Sequence, residues 1–562
     1  MSKKIVIVGG VAGGASTAAR LRRIDENAEI IMLERGEFIS FANCGLPYYI
    51  GDVVKRKQSL LVQTVEGMSK RFNIGIRVFS EVTKINPTEK KISVKNLKTN
   101  EEYEESYDKL VLSPGANPIV PPIPGIKEAE ALFTLRNISD MDAIKSHIDE
   151  NKPRSAIVIG GGFIGVEMVE NLHDIGIHVA LVEAANQIMG PIDFEMASIL
   201  HEHIRDKGVE LILSDGVKSF EDKGKKLVLQ SGKEIETDLI ILSIGVRPEN
   251  KLAKEAGLEI GDRGGIVVNE YLQTSNEDIY AVGDVIEVND FISGNKTIIP
   301  LAGPANKQGR IVANNICGQN EKYIGTMGTS VAKIFDMVAA STGNNEKLLK
   351  AQNIPYETVH IIPASHSNYY PGSSPIFMKM LFDKESGKIF GAQAVGNDGV
   401  EKRIDVIATA ITGKLTVMDL QRLELSYAPP FSSAKDPVNM LGFVATNIIE
   451  GTVSTVQWHE IDKIVEDGGF LIDVRTSIER QLGFIKGSVH ITLDELRDRL
   501  DEISKDKKIY VYCQVGLRGY IATRILMQNG FDVKNLDGGL RIYKNVFGLE
   551  VEDDEDWNFL NN

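Results

Sequence analysis

The chain has 562 residues, several times the size of one domain, so three or four domains are expected. A net charge of −15 without a long basic run argues against nucleic acid or an anionic membrane as the main partner. No apolar run reaches the ~18 residues that span a bilayer, and the N-terminus shows no signal-peptide pattern, so we expect a cytoplasmic protein. The three cysteines stand far apart without a CxxC pair, which excludes a disulfide scaffold or a cysteine-only zinc site, and no metal is expected.

Two segments, residues 4–34 and 155–183, repeat one pattern: an apolar strand, a glycine-rich turn, a helix, and a second strand that ends in an acid. This pattern is typical of dinucleotide-binding folds, where glycines allow a tight turn and the helix N-terminus faces a pyrophosphate. We therefore predict an α/β protein with two Rossmann-like domains. One is discontinuous, over residues 1–150 and 253–330, and the other covers residues 151–252.

The second glycine motif is the stronger nucleotide signal. The sequence IVIGGGFIGVE places Gly160, Gly162 and Gly165 directly after a strand and at the start of a helix. Glu183 ends the next strand, where an acid accepts hydrogen bonds from an adenosine ribose. No arginine follows Glu183 in AANQIM to bind a 2′-phosphate, so NADH is the expected coenzyme and NADPH stays an open alternative. The other residues assigned to this site are Phe163, Ile164, Glu167 and Gly245.

The first glycine motif, VIVGGVAGGAS, is weaker alone because Val11 occupies the middle glycine position. It becomes specific together with NEDIYAVGD, which carries Asp284. The combination resembles the FAD half of the two-dinucleotide-binding flavoprotein disulfide reductases, over residues 1 to about 446. The resemblance implies that Asp284 holds the ribityl chain of FAD and that residues 301–310 lie along the isoalloxazine ring. The FAD contacts that it implies are Gly9, Gly10, Ala12, Gly13, Gly14, Glu34, Arg35, Asn43, Val82, Ser113, Pro114, Gly115, Gly283, Asp284, Leu301, Ala302 and Ala305.

A single cysteine selects the branch of this superfamily. The sequence FISFANCGLPYYIG contains Cys44 alone, where glutathione reductase-like members carry a CxxxxC pair. The chain is therefore similar to coenzyme A disulfide reductases, NADH oxidases, NADH peroxidases and NADH-dependent persulfide reductases. A lone thiol beside a flavin can hold a mixed disulfide or a sulfenic acid. The peroxidases and oxidases place a histidine in the first glycine loop, whereas this chain has Ala12, which counts against peroxide chemistry.

Two tyrosines favour the coenzyme A class. Tyr369 in SHSNYYPGSSP and Tyr427 in LSYAPPFSSAKDPVNM lie in segments that resemble those by which coenzyme A disulfide reductases bring tyrosines from the partner subunit to the cysteine. A phenol near a thiolate can donate a hydrogen bond to it or protonate a leaving thiolate. The resemblance implies a homodimer with an interface domain over residues 331–448. It also implies that coenzyme A is bound by Ser16, Arg20, Arg23, Ser40, Asn43 and Arg71.

The C-terminal part, residues 457–562, resembles a rhodanese domain. Asp473 and Arg475 lie in its opening DVR motif, and IYVYCQVGLRGYIATRIL carries Cys513 at a strand end with Arg518 five positions later. Loop N–H groups, the following helix N-terminus and Arg518 would depress the pKa of the thiol and stabilise a persulfide anion. Related phosphatases also use a cysteine–arginine loop but need more room for a phosphate, so the short loop favours sulfur transfer.

Together these motifs predict an FAD- and NAD(P)H-dependent reductase of coenzyme A disulfide or coenzyme A persulfide, coupled to a sulfurtransferase domain. Two alternatives stay open. One is an NADH oxidase or peroxidase that forms a sulfenate at Cys44, and the other is a non-catalytic redox sensor whose flavin only reports the NADH/NAD⁺ ratio. The third cysteine, Cys317, matches no chemical motif, and we expect it to serve packing.

Overall fold

A computed structural model describes residues 3–549 of the chain, so the last thirteen residues of the predicted C-terminal domain lie outside the described residues. The described residues form two units, the first from residues 3–188 and 209–328, and the second from residues 189–208 and 329–549. Among residues 3–549, no helix combines the length and the apolar character needed to cross a bilayer.

The first unit contains two five-stranded parallel sheets, one for each glycine motif. The strand before each glycine loop is a buried apolar run, KIVIV or SAIVI, as expected for a parallel strand covered on both faces. In sheet order the strands are Ile279–Ala281, Lys109–Leu112, Lys4–Val8, Glu29–Leu33 and Gly75–Arg77 in the first sheet, and Glu210–Ile212, His178–Val182, Ser155–Ile159, Leu239–Leu242 and Leu132–Phe133 in the second. The strand order reverses beside the strand that precedes each glycine loop, which opens a ligand crevice at the carboxyl ends of the strands.

Helices and small sheets complete this unit. Its α-helices are Ala12–Ile24, Leu46–Ile50, Val65–Phe72, Ile138–Asn151, Phe163–Asp174, Lys251–Glu255 and Ala302–Ile316, and its short 3-10 turns are Asn43–Gly45, Lys57–Leu60 and Asp222–Gly224. The small sheets are formed by Ser80–Asn86, Lys91–Asn96 and Glu102–Ser106, by Val217–Glu221, Lys226–Leu229 and Glu234–Glu236, by Ile266–Val267, Ile286–Asn289 and Lys296–Thr297, and by Ala116–Pro118 with Val246–Pro248. The first and last of these helices pack closely, since a Cβ on Gly309 would lie 2.5 Å from the Gly13 carbonyl oxygen.

The second unit begins with a five-stranded antiparallel sheet. In sheet order its strands are Ser330–Ile334, Met337–Gly343, Ile389–Gly396, Ile376–Phe382 and Glu357–Ile361, and its helices are Phe194–Asp206, Glu346–Ala351, Val400–Thr412, Val417–Leu420 and Pro437–Ile449. Every residue of the two strands IFMKMLF and IFGAQAVG is buried, so this sheet forms the interior of the unit.

The same unit ends with a five-stranded parallel sheet. In sheet order its strands are Thr455–Val456, Val533–Leu536, Ile509–Tyr512, Phe470–Asp473 and Val489–His490, with helices Ile461–Glu466, Ser477–Gln481, Leu517–Gln528 and Gly539–Phe547 and 3-10 turns Trp458–Glu460 and Leu500–Glu502. The parallel strands alternate with helices, as the sequence predicts for an α/β domain.

The helix Phe194–Asp206 lies in the second unit, although the sequence places it with residues 151–252. Two carboxylates at its start explain the difference. The Lys379 ammonium group, whose side chain is 1% exposed, lies 2.9 Å from Asp193 Oδ2 and also bonds Glu195 Oε1. Removing either partner of a buried ion pair costs about 3–5 kcal/mol, so these contacts hold the segment in place. The boundaries between the other domains stay a prediction.

Candidate active sites

The first glycine loop fixes an acid at the carboxyl edge of its sheet. Gly9 has a φ of +96°, and a Cβ at this position would collide with the backbone of Ser113. Glu34 accepts hydrogen bonds from the backbone N–H groups of Gly10, at 2.9 Å, and Gly36, at 2.8 Å. An ionised carboxylate has about four acceptor positions, so Glu34 can still bind ribose hydroxyls.

The second glycine loop repeats this arrangement residue by residue. Gly160 has a φ of +104°, and a Cβ there would lie 2.5 Å from the Ser243 carbonyl oxygen. Glu183 accepts hydrogen bonds from the backbone N–H groups of Gly161 and Ala185, both at 2.8 Å. The two repeats therefore build two equivalent nucleotide sites. Each contains a position, Gly9 or Gly160, where a side chain would collide with the backbone.

Two observations show that these sites fit dinucleotides. A Cβ on Gly162, which precedes the helix Phe163–Asp174, would meet nothing within 4 Å, so a ligand can approach the helix N-terminus. Burial raises the pKa of the Asp284 carboxyl group, which accepts no hydrogen bond from residues 3–549. Asp284 is half-buried and its carboxylate oxygens are free acceptors within the described part of the chain, so it is suited to bind a ligand hydroxyl. FAD fits the first loop with Asp284, and NAD(P)H fits the second.

The structure brings several predicted FAD contacts together around Ser113. A Cβ on Gly13 would lie 3.0 Å from Ser113 Oγ, and one on Gly283 would lie 3.7 Å from the Ala305 Cβ atom. The other predicted residues near the two crevices occupy turns and helix starts. They are Ala12, Gly14, Pro114, Gly115, Leu301 and Ala302 on the FAD side, and Phe163, Ile164, Gly165 and Gly245 on the NAD(P)H side.

Two predicted FAD contacts are engaged within the protein. The guanidinium group of Arg35 donates two hydrogen bonds to the Glu249 carboxylate, at 2.8 and 3.0 Å. Val82 is 6% exposed and packs in the hydrophobic core of the first unit. Contact of these two side chains with FAD stays a prediction.

Cys44 lies in the 3-10 turn Asn43–Gly45, and its side chain is exposed. This turn follows Ser40, whose backbone N–H bonds the carbonyl oxygen of Gly10 at 2.8 Å, so the cysteine segment is attached to the first glycine loop. Partial burial of the sulfur and the carboxylates of Glu167 and Asp284 raise the pKa of the Cys44 thiol. The protein alone therefore disfavours the thiolate at this position.

Glu167 connects the second nucleotide site to the cysteine segment. It lies on the helix Phe163–Asp174, and the Tyr48 hydroxyl group donates a hydrogen bond to its Oε1 atom at 3.4 Å. Burial raises the pKa of Glu167 to about 7. Glu167 is thus able to exchange a proton near neutral pH, and its charge acts on the Cys44 thiol.

A cavity of about 310 Å³ lies between the helices Ala12–Ile24 and Ala302–Ile316 and includes Ser40 in its wall. It is lined by Ala15, Ser16, Ala19, Arg20, Arg23, Ser40, Gln63, Met68, Phe72, Asn306 and Arg310. Four of the six predicted coenzyme A contacts, Ser16, Arg20, Arg23 and Ser40, therefore share one cavity, whereas Asn43 and Arg71 lie outside its wall. The three arginines make it a site for an anion with several charged groups.

The sequence analysis missed Gln63, Asn306 and Arg310 in this wall. Asn306 Oδ1 accepts a hydrogen bond from the Ser16 hydroxyl group at 2.5 Å. Asn306 and Arg310 are four residues apart on one helix, a spacing that places both side chains on one face and so could indicate a shared binding surface. The sequence alone does not separate the two roles, because LAGPANKQGR also resembles a segment that lies along the flavin.

The structure places Tyr369 and Tyr427 side by side in the second unit. Their hydroxyl oxygens are 3.3 Å apart, and the side chains are exposed. Hydrogen bonds to Tyr369 and Ser367 lower the pKa of Tyr427, whereas the bond to Tyr427 raises the pKa of Tyr369. Tyr427 is therefore the better proton donor of the pair.

Cys513 directly follows the strand Ile509–Tyr512 and is 1% exposed. Its sulfur accepts a hydrogen bond from the Gly516 backbone N–H group at 3.1 Å, just before the helix Leu517–Gln528. The carbonyl oxygen of Cys513 is bonded by the Leu540 N–H group at 2.8 Å, which fixes the loop from the opposite side. The loop thus directs one backbone donor at the sulfur, which would stabilise a persulfide anion.

The guanidinium group of Arg518 interacts with Glu479 as well as with the Cys513 sulfur. Its two terminal nitrogens bond the Glu479 carboxylate at 2.7 and 2.6 Å, and this pair lowers the pKa of Glu479 to about 2. Glu479 and the Cys513 sulfur together raise the pKa of Arg518. The motif residues Asp473 and Arg475 pair with each other in the interior, at 2.7 Å, and serve the fold of the domain.

Comparison with known proteins places these sites in a family. Residues 3–309 match the pyridine nucleotide-disulphide oxidoreductase family, residues 329–437 match its dimerisation domain, and residues 457–545 match the rhodanese-like domain. The chain belongs to the pyridine nucleotide-disulphide oxidoreductase family.

Relatives of this oxidoreductase cover between 79% and 97% of the chain. Coenzyme A disulfide reductase of Staphylococcus aureus strain JH9 is 37% identical over 443 residues, 79% of this chain and 99% of that protein. The structure of reduced Bacillus anthracis CoADR-RHD is 63% identical, with a TM-score of 0.96 over 97% of this chain and 98% of that one. The NAD-dependent persulfide reductase from A. fulgidus is 37% identical, with a TM-score of 0.89 over 96% of this chain and 100% of that one.

These matches confirm the predicted α/β fold class and the predicted oxidoreductase that depends on FAD and a pyridine nucleotide and carries a rhodanese domain. They do not test the residue assignments, which stay predictions. Asn43 and Arg71 in particular have no support from the cavity.

Proposed function

We propose that this oxidoreductase is an NADH-dependent reductase of coenzyme A disulfide and coenzyme A persulfide, with Cys44 as its redox cysteine. The observation that supports this choice of substrate is a single cavity that is lined by Arg20, Arg23 and Arg310 and includes Ser40 in its wall. Coenzyme A has several phosphate groups, and arginine binds phosphate with two parallel hydrogen bonds. The named activities of the Staphylococcus aureus and A. fulgidus relatives support this choice.

Cys44 begins the reaction as a nucleophile. Its thiolate attacks one sulfur of coenzyme A disulfide, the S–S bond breaks, and a Cys44–coenzyme A mixed disulfide forms while the second coenzyme A leaves as a thiolate. Tyr427 donates a proton to that leaving thiolate, and the hydrogen bond from Tyr369 stabilises the phenolate that remains. The chemistry that FAD and NADH supply when bound is the transfer of two electrons to the sulfur at Cys44.

The proton inventory of the cycle involves Glu167 as well. One NADH and one proton are consumed for each disulfide, and two coenzyme A thiols are released. With a persulfide, the same two electrons and proton release one coenzyme A thiol and hydrogen sulfide. The raised pKa of Glu167, about 7, makes this residue a suitable proton store beside Cys44.

Cys513 serves the sulfur-transfer half. It takes a sulfane sulfur from a donor as a persulfide and passes it to coenzyme A or to Cys44, and the loop N–H groups stabilise the persulfide anion. Nothing near Cys513 in the sequence reduces this persulfide, so the flavoprotein half must consume it. The fusion joins a sulfur acceptor to a reductant.

A homodimer is part of the proposal, because the exposed Tyr369 and Tyr427 pair is expected to reach Cys44 of a second copy. The predicted residence in the cytoplasm and the predicted domain boundaries are also part of it. The dimer is tested by mixing: Cys44→Ser and Tyr427→Phe chains, each weakly active alone, should regain activity when co-expressed. Equal activity before and after mixing would exclude a shared site.

The competing oxidase or peroxidase function is less well supported. Ala12 begins the helix after the first glycine loop and offers no acid–base group for a peroxide. The rhodanese-like match over residues 457–545 also has no use in oxygen reduction.

The decisive experiment compares two disulfides in arginine variants. Arg20→Gln, Arg23→Gln and Arg310→Gln should each raise KM for coenzyme A disulfide about tenfold, the effect of losing one charged hydrogen bond. The rate with pantethine, a disulfide without these phosphates, should be unchanged. Arg56→Gln is the matched control, since Arg56 is exposed, lies outside the cavity wall and is not among the predicted coenzyme A contacts. An equal loss with both disulfides, or no loss with either, would overturn the coenzyme A assignment.

A further inference from the structure

A fully buried arginine contacts both loops that carry the tyrosine pair. Arg403 lies on the helix Val400–Thr412, and its side chain is 1% exposed. Its Nη1 atom donates to the Gly399 carbonyl oxygen at 2.9 Å, which holds the guanidinium group at the start of its own helix. Buried arginines are rare unless paired, so the remaining contacts of Arg403 require an explanation.

The Nη2 atom of Arg403 joins the two loops. It lies 2.9 Å from the Ser365 carbonyl oxygen, in the loop that carries Tyr369. It also lies 3.2 Å from Ser432 Oγ and 3.4 Å from the Phe431 carbonyl oxygen, in the loop that carries Tyr427. One nitrogen atom thus bonds two segments that are far apart in sequence.

Asp436 completes this clamp and anchors it. Its Oδ2 atom accepts a hydrogen bond from the Ser432 hydroxyl group at 2.8 Å and lies 3.5 Å from Arg403 Nη2. Its Oδ1 atom accepts the Val438 backbone N–H group at 2.9 Å, at the start of the helix Pro437–Ile449. The charge of the buried guanidinium group is therefore paired on the Tyr427 side, although its Nε atom has no hydrogen-bond partner among residues 3–549.

Ser367 connects the clamp to the tyrosines. Its backbone N–H group and hydroxyl group both donate to the Ser432 carbonyl oxygen, at 3.1 and 3.2 Å. Ser367 is two residues before Tyr369, so these bonds attach the start of the Tyr369 segment to the loop that carries Tyr427. The tyrosine side chains are 75% and 48% exposed, so their own packing does not fix the 3.3 Å between the hydroxyl groups.

We propose that Arg403 is a positioning residue for the reductase, which holds the Tyr369 and Tyr427 loops at the separation needed for their hydroxyl groups to bond. The proposal rests on the proposed function, in which Tyr427 protonates the leaving thiolate. Arg403 touches neither substrate nor cofactor. It acts through Ser365, Phe431 and Ser432, and its loss leaves both phenols present but no longer paired.

Other charged groups face the same loops and must be separated from the effect of Arg403. His366 Nδ1 lies 3.8 Å from Asp398 Oδ2, and Lys402 Nζ lies 3.9 Å from Asp436 Oδ2. His366→Gln is therefore included, so that a pH effect due to the imidazole is recognised.

The experiment measures steady-state reduction of coenzyme A disulfide between pH 6 and 10 by the full-length FAD enzyme. Arg403→Met, Arg403→Lys and Ser432→Ala should lower kcat about 10- to 100-fold, as expected for a misplaced catalytic group. The alkaline limb of each variant's pH–kcat profile should shift to higher pH, to the position seen in Tyr369→Phe, because Tyr427 loses the hydrogen bond that lowers its pKa. Lys379→Met is the matched control, since it also removes a buried cation from this unit but leaves both loops.

The double variant Arg403→Lys/Tyr369→Phe decides the outcome even if Arg403→Met does not fold. Its kcat should match that of Tyr369→Phe alone, because the pair is already broken. A kcat of the double variant lowered by the product of the two single-variant factors would overturn the positioning role. So would a pH–kcat profile of Ser432→Ala whose alkaline limb stays at the wild-type position. Wild-type activity in Tyr427→Phe would instead overturn the proposed role of the tyrosines, and the two failures are thereby distinguished.

Discussion

The two cysteines to which we assign chemistry lie in opposite electrostatic settings. Cys44 is exposed, and the carboxylates of Glu167 and Asp284 raise the pKa of its thiol. Cys513 is 1% exposed, and its sulfur receives one backbone hydrogen bond just before the helix that carries Arg518. One thiol lies near two acids and the other near a backbone donor and a cation.

This contrast shows how each half divides its work. In the proposed function the Cys513 loop stabilises a persulfide anion through its backbone N–H group and needs no bound coenzyme to do so. At Cys44 the acids oppose the thiolate, so reactivity depends on what binds beside it. The wall of the arginine-lined cavity includes Ser40, four residues before Cys44, whereas Arg518 near Cys513 is bonded to Glu479.

The largest expected effect follows from removing the exposed thiol. Cys44→Ser should lower NADH-driven reduction of coenzyme A disulfide by at least about 10³-fold, as for loss of an enzyme nucleophile. FAD content and reduction of the flavin by NADH should persist, because the glycine loops do not use the thiol. Cys317→Ser is the matched control, since Cys317 is half-buried and packs against the core of the same unit. Wild-type turnover in Cys44→Ser would remove this cysteine from the mechanism.

Removing the buried thiol should give the reciprocal pattern. Cys513→Ser should eliminate sulfur transfer from thiosulfate-type donors and the NADH-driven release of sulfide from them. It should leave reduction of preformed coenzyme A disulfide within about twofold of wild type. Separated halves should also cooperate less well than the fused chain, since tethering supplies about millimolar effective concentration. Sulfide release from thiosulfate at the wild-type rate in Cys513→Ser would show that the two sites are not coupled.

A smaller effect is expected at the coenzyme site. Glu183 would repel a 2′-phosphate, so kcat/KM with NADH should exceed that with NADPH about tenfold or more. Glu183→Gln should narrow the ratio, whereas the equivalent change at Glu34 in the FAD site should leave it unaltered. Equal or better use of NADPH by the wild-type chain would contradict the assigned preference.

The smallest effect concerns the stability of the second unit. His360 is buried between Asp537 Oδ2, at 2.7 Å, and Glu195 Oε1, at 3.1 Å. Although burial opposes the charge, Asp537 and Glu195 raise the pKa of His360 to about 9. A raised pKa stabilises the fold below the unfolded value of about 6.5, and this stability is lost as pH rises through about 9.

Thermal unfolding should report that loss. The Tm of the second unit should fall by about 2–4 °C for each kcal/mol lost between pH 6.5 and 9. His360→Gln should be less stable at pH 6.5 and should lack this dependence. A Tm that rises over this range in wild type would show that the imidazole is not charged in the folded chain.

The sequence was sufficient for features that depend on local pattern. The Gly9 and Gly160 turns, the acids Glu34 and Glu183, and the Cys513 loop were all predicted, because a strand, a tight turn and a helix N-terminus follow one another along the chain. The fold class follows from the same alternation. Local spacing therefore carries most of the nucleotide chemistry.

Features that depend on distant partners were not predicted. Arg310 enters the cavity only because two helices far apart in sequence pack together. Glu479 neutralises Arg518 from a segment 39 residues away, and Arg403 contacts loops 38 and 29 residues away. Arg71 shows the converse, since a basic residue close in sequence to the site lies outside the cavity wall.

The most direct test of the function assigned to Cys44 is single-turnover reoxidation of the enzyme after anaerobic reduction with NADH. Stopped-flow mixing with coenzyme A disulfide, coenzyme A persulfide, oxygen and hydrogen peroxide gives four rates for one reduced species. We expect both coenzyme A substrates to reoxidise the flavin at least about tenfold faster than oxygen or peroxide, with that advantage lost in Cys44→Ser. Reoxidation by oxygen or peroxide at a rate equal to or above that of the coenzyme A substrates would contradict the assignment and favour the oxidase or peroxidase alternative.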